Sequence, residues 1–216
     1  MKKSIISTVV LMLVCLIASA QTTNTTNPQA KAIVDRAIAE ISKNAYEGKY
    51  TIQFAGPDEK TKQTVKGEVR LWKEKFYYRL ADVEMFYDGK TEWTYIRDLN
   101  EVSITNPTPE ELGNDSPMQM MKGYGKSHRV DFDPNASDDN YYYVSIYPTN
   151  HSLDYFRIQF VINKKTNLLR SIKLSQRNGD RITLSFEALT VIAAPTLDLF
   201  TFSKEAHPKV TVSDLR

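Results

Sequence analysis

The chain has 216 residues, with 28 Lys and Arg against 26 Asp and Glu, and 41% of its residues are hydrophobic. This near-neutral balance excludes the basic footprint of a nucleic-acid-binding protein, and the apolar share is enough for a sizeable core. Cys15 is the single cysteine, so an intramolecular disulfide is excluded.

The first twenty residues, "MKKSIISTVVLMLVCLIASA", join a basic start at Lys2 and Lys3 to an apolar run over 5–17 and the small-residue site Ala18-Ser19-Ala20. They read as a secretory signal peptide cleaved after Ala20, because the run is shorter than the ~20 residues that span a bilayer and polar "QTTN" follows it. Val14 before Cys15 does not fit a lipidation site, so the thiol leaves with the signal. Loss of Lys2 and Lys3 takes the basic count from 28 to 26, equal to the 26 acidic residues. Residues 21–216, without a Gly/Ser-rich or Pro-rich boundary, are expected to form one exported domain.

Asn27 reads as a helix N-cap with Pro28 at the first helical position, and Ile33, Val34, Ala37, Ile38 and Ile41 form an apolar stripe, which predicts a helix over 28–45. From Tyr50 the period changes to two. Strands are predicted at 50–55, 65–72, 76–80, 83–87, 92–96 and 101–105, then at 128–132, 141–147, 155–162, 168–175 and 180–189. Asp88-Gly89, the 163–167 segment and Asn178-Gly179-Asp180 supply hairpin turns, so the strands read as an antiparallel meander of about ten or eleven. Between the two series, Ser116 and Pro117 begin a short Met-rich helix with Met118, Met120 and Met121, and 108–112 suits another helical turn.

Seven aromatic side chains lie within "FYYRLADVEMFYDGKTEWTYI" at 76–96. Pairing across the turns places Phe86 opposite Trp93, Trp93 opposite Ile104 and Tyr95 opposite Val102, so these five share one face, with Val83, Met85, Tyr87 and Ile96 on the other. Either face suits the interior on this evidence. A sheet this large curls, and the few predicted helices are too little protein to fill its concave side.

Catalytic and metal patterns do not emerge. "DFDPNASDDNYY" at 131–142 opens like a calcium loop, but Ala136 stands where the turn requires Gly and Tyr142 where a bidentate Glu belongs, so a solvated acidic loop is expected. His128, His151 and His207 are isolated, "HSLD" at 151–154 has the wrong spacing for a triad, and nucleophile-elbow and phosphate-loop motifs do not occur. The chain is read as a non-enzyme without a cofactor.

Four stretches in order resemble the LolA family, periplasmic carriers that move lipoproteins from the inner to the outer membrane. "KGEVRLWKEKFYYRL" (66–80) resembles its G-x-[apolar]-x-[apolar] strand and the aromatic strand after it. "YDGKTEWTYIRDLNEVSI" (87–104) resembles its DGKT-x-W-x-Y hairpin, "NDSPMQMM" (114–121) its lid helix, and "FTFSKEAHPKVTVSDLR" (200–216) its V-x-V-x-D-x-R ending. The resemblance implies a mainly β fold, an unclosed antiparallel β-barrel of about eleven strands with a lid of two or three helices. It implies an acyl-chain cavity, with candidates Phe76, Tyr78, Leu80, Phe86, Trp93, Tyr95, Val102, Ile104, Ile158 and Phe160, lidded by Met118, Met120 and Met121. The implied partners are acylated lipoproteins, an inner-membrane lipoprotein-releasing transporter and an outer-membrane acceptor, with the chain itself a monomer. Lys73 stands where enterobacterial members have an Arg linked to lid closure; it keeps the charge but lacks the bidentate fork, and is the candidate for transfer control. Relatives that sense lipid and regulate envelope signalling supply the alternative function.

Overall fold

A computed structural model describes residues 25–216 apart from 59, 61, 110, 113–116, 125–127 and 137; side chains 117 and 118 are also outside the description. The expected signal segment, Cys15 and the Ser116 cap therefore lie outside the described residues.

Asn27 caps α1 (Pro28–Ile41), its Oδ1 accepting from the backbone N–H groups of Gln29 at 3.0 Å and Ala30 at 3.2 Å. The helix ends with its apolar stripe at Ile41, short of the expected 45, because Ala45 already begins β1 (Ala45–Ala55). Strands β2 (Lys62–Trp72), β3 (Lys75–Leu80), β4 (Val83–Tyr87), β5 (Glu92–Ile96) and β6 (Glu101–Thr105) follow as hairpins. After α2 (Pro117–Gly123) come β7 (His128–Phe132), β8 (Tyr141–Pro148), β9 (Tyr155–Asn163), β10 (Leu169–Gln176), β11 (Arg181–Ile192) and, beyond a 3-10 turn at Leu197–Phe200, β12 (Thr211–Asp214).

These strands form one sheet of 12, in the order β12-β6-β5-β4-β3-β2-β1-β11-β10-β9-β8-β7. Among the described residues its end strands, β7 and β12, do not pair with each other, so the sheet curls without closing. The strand beyond the expected ten or eleven is β12, which runs parallel to β6 rather than as a hairpin partner, so local turn chemistry does not reveal it. The hairpin register agrees with the alternation of the sequence: Phe86 faces Trp93, Trp93 faces Ile104 and Tyr95 faces Val102. Gly89 at φ 102 and Gly179 at φ 99 take the left-handed positions of two of these turns.

Each face of the curled sheet has its own cover. On the concave side α1 buries Ile33, Val34, Ala37 and Ile41 against Val130, Val144, Ile146, Ile158, Phe160 and Ile162 of β7–β9. On the convex side the chain after β11 returns over β3–β6, where Phe200 and Phe202 pack with Tyr77, Phe86, Tyr95 and Val102. Asp133 departs from the solvated acidic loop expected of its stretch. Its side chain is only 4% exposed and is held by Arg157 at 3.3 Å, by Gln159 and by the Asn135 N–H at 3.0 Å. A buried carboxylate requires such partners, and Arg157 and Gln159 come from β9, far along the chain.

Candidate functional site

Because α1 covers the β7–β9 half of the concave face, the middle of the sheet is left with a cavity of about 380 Å³. Its walls come from β4 (Val83, Met85), β3 (Tyr78, Leu80), β1 (Tyr50, Ile52), β11 (Ile182, Leu184) and β10 (Ile172, Leu174), with Met120 of α2 closing one side. None of these side chains carries a formal charge except by ionisation of a tyrosine. Burial, with the neighbouring Tyr77 adding to it, pushes Tyr50 up to about 12, so its phenol is neutral at physiological pH.

The floor depends on Gly67 of β2, between β1 and β3. A Cβ there would stand 2.4 Å from both the Arg79 carbonyl oxygen and Tyr50 Cζ. Its absence lets the Tyr50 ring lie across β2, and the Tyr50 hydroxyl donates to that same carbonyl at 3.3 Å. Tyr50 and Tyr78 meet edge to face with centroids 6.1 Å apart, and Phe76 stacks beyond Tyr78 onto Tyr87 at 5.0 Å. This aromatic row makes one end of the cavity blind.

α2 is held at several points. Met121 is 1% exposed and belongs to the main core, as does Tyr124, whose hydroxyl donates to Asp35 of α1 at 2.9 Å. Burial and the Asp35 carboxylate both raise the Tyr124 phenol pKa. The Tyr124 carbonyl lies 3.1 Å from His128 Nδ1, and His128 Nε2 lies 2.9 Å from the Tyr155 hydroxyl. Burial lowers the His128 pKa, which favours the neutral imidazole. Lys122 meets Glu74 of the β2–β3 turn at 2.5 Å. Burial alone would raise the Glu74 carboxyl, but the hydrogen bond and charge of Lys122 carry it below its ordinary value.

The sequence candidates therefore divide. Tyr78, Leu80 and Met120 line the cavity. Phe76, Met121, Ile158 and Phe160 are packed in the adjoining core, the last two in the part covered by α1. The Met118 side chain lies outside the described residues. Phe86, Trp93, Tyr95, Val102 and Ile104 are a correction: they share one face as expected, but that face is the convex one. Phe86, Tyr95 and Val102 are buried with Phe200 and Phe202, and Trp93 packs against them. Ile104 is buried opposite Trp93 on the same face. Lys73 takes the left-handed turn position at φ 57, with its ammonium 5.1 Å from the Trp72 ring centroid, while the next residue, Glu74, is the one that reaches α2. The other lining residues also fall at period-two positions of their strands: Tyr50 and Ile52 on β1, Val83 and Met85 on β4, Ile172 and Leu174 on β10, and Ile182 and Leu184 on β11.

A family model described as outer membrane lipoprotein carrier protein LolA matches residues 20–175. The chain belongs to the LolA family. No curated protein sequence matches the chain. Among solved structures, an uncharacterised conserved protein from Thermus thermophilus is similar with a TM-score of 0.58 and 11% identity, over 86% of this chain and 99% of that one. A LolA superfamily protein from Nitrosomonas europaea is similar at a TM-score of 0.43 and 13% identity, over 80% and 97% of the two chains. LprF from Mycobacterium bovis is similar at 0.41 and 8%, over 80% and 99%. The Thermus likeness supports the fold of this LolA-family chain.

Proposed function

We propose that this LolA-family protein is a periplasmic carrier that holds the acyl chains of lipoproteins during their passage from the inner to the outer membrane. The observation that carries the reading is the uncharged cavity in the middle of the sheet, walled by five strands and closed on one side by Met120. Each buried methylene gains about 0.8 kcal/mol, so one sixteen-carbon chain represents roughly 12 kcal/mol, and such a cargo does not cross an aqueous compartment bare. A carrier must match this surface without exceeding it, since cargo moves on only by differential affinity between donor, carrier and acceptor. Adaptable Met85 and Met120 in the walls suit that balance.

In this reading residues 1–20 direct export, residues 21–216 act as one monomeric domain, and no cofactor or catalytic step is involved. An inner-membrane transporter loads the cavity and an outer-membrane acceptor empties it. The test is mass spectrometry of the protein isolated intact from its native periplasm. Co-purified acylated lipoproteins support the carrier. Free lipid together with a stoichiometric envelope signalling protein would favour a lipid-responsive regulator instead.

A further inference from the structure

We infer that the cavity measures chain length: in the conformation described here it takes one unbranched acyl chain of about a dozen carbons and leaves the polar end of the molecule in solvent. The inference rests on the carrier reading and specifies what the site accepts.

Three observations support it. The first is volume. A water-sized group occupies about 30 Å³ in a liquid, and a methylene is of similar size, so a cavity of about 380 Å³ holds roughly a dozen such groups. The second is the blind end. Tyr50, Tyr78 and Phe76 are packed ring to ring, with Phe186 against Tyr50 at 6.5 Å, so a chain has no path toward the main core. β1, which carries Tyr50, is hydrogen-bonded to β2 on one side and β11 on the other, so this wall does not yield easily. The third is the chemistry of the lining. It contains no Lys, Arg, His, Asp or Glu, and the Tyr50 hydroxyl is already engaged by the Arg79 carbonyl. A carboxylate or phosphate drawn inside would lose its hydration and meet no cationic partner. A chain therefore enters tail first, and methylenes beyond about the twelfth remain outside.

The test displaces a fluorescent acyl probe from the delipidated mature protein with two ligand series of eight to eighteen carbons, fatty acids and single-chain phosphocholines, each below its micellar concentration. Affinity is expected to rise about fourfold per methylene up to roughly twelve carbons and then level off, with the two head groups in parallel. Leu184→Phe should move the plateau to shorter chains and Leu184→Ala to longer ones. Leu174→Phe replaces Leu184→Phe if that variant does not fold. Affinity that climbs steadily to eighteen carbons, or a plateau that ignores both substitutions, overturns the length limit and leaves the carrier reading standing. A strong preference for one head group overturns the tail-first mode. If no ligand of any length binds, the carrier reading itself fails.

Discussion

Met120 and Met121 are adjacent on α2 and offer a sharp contrast. Met121 is 1% exposed within the core, whereas Met120 is partly exposed and faces the cavity. Met121→Glu puts an unpaired carboxylate into packed apolar surroundings and should cost about 4 kcal/mol or more. At about 2–4 °C per kcal/mol for a domain of this size, the midpoint should fall by roughly 8–16 °C. Met120→Glu can turn its carboxylate toward water and should cost about 1 kcal/mol. Its effect on binding should be larger. An acyl chain in the cavity requires that carboxyl to be neutral, and taking a group of ordinary pKa ~4.3 to the neutral form at pH 7 costs about 2.7 units at ~1.36 kcal/mol each, or up to ~500-fold in affinity. At pH 5 the same step costs about 0.7 units, so the loss should shrink to roughly fivefold relative to the unaltered protein at that pH. Urea unfolding and acyl-probe titration on both variants, at both pH values, measure all four quantities. Equal stability losses would show that Met120 is ordinary core, and unchanged probe affinity for Met120→Glu would remove the cavity from the binding site.

Gly67→Ala should destabilise the protein by about 1–3 kcal/mol and displace Tyr50, read as a shifted urea midpoint with altered near-ultraviolet circular dichroism, because the new Cβ meets backbone as well as a ring. Phe200→Ala, at a site with no exposed surface, should cost about 3–5 kcal/mol in the same unfolding assay yet leave acyl affinity unchanged, since Phe200 packs on the convex face. His128 has a folded pKa depressed below its ordinary 6.5, so its contribution to stability is complete above pH 6.5 and is lost as the pH falls through the folded value. Thermal midpoints between pH 7.5 and 5 should therefore drop less steeply in His128→Gln than in the unaltered chain.

Much of the strand pairing is legible locally. Asp88-Gly89 forces a tight turn, and once Phe86 faces Trp93 the period of two carries the register through Trp93 and Ile104. Asn27-Pro28 and the stripe beginning at Ile33 likewise announce α1 without reference to the rest of the chain. β12 is not announced, because its partner β6 lies about a hundred residues away and a parallel pairing leaves no turn signature. The first half of β1 is also obscure: Gly48 and the register shift between Lys49 and Tyr50 interrupt its alternation, and the backbone conforms there because β2 and β11 flank it. The side of the sheet that holds the cavity is beyond local reach for a different reason. Alternation says that Phe86 and Met85 point in opposite directions, but β3 and β4 carry large apolar side chains on both faces, and hydrophobic burial is non-directional. The choice is made by distant covers. The segment carrying Phe200 and Phe202 occupies the convex face and converts an apparent ligand surface into core, while α1 covers only the β7–β9 half of the concave face and leaves Tyr50, Tyr78 and Met85 around open space.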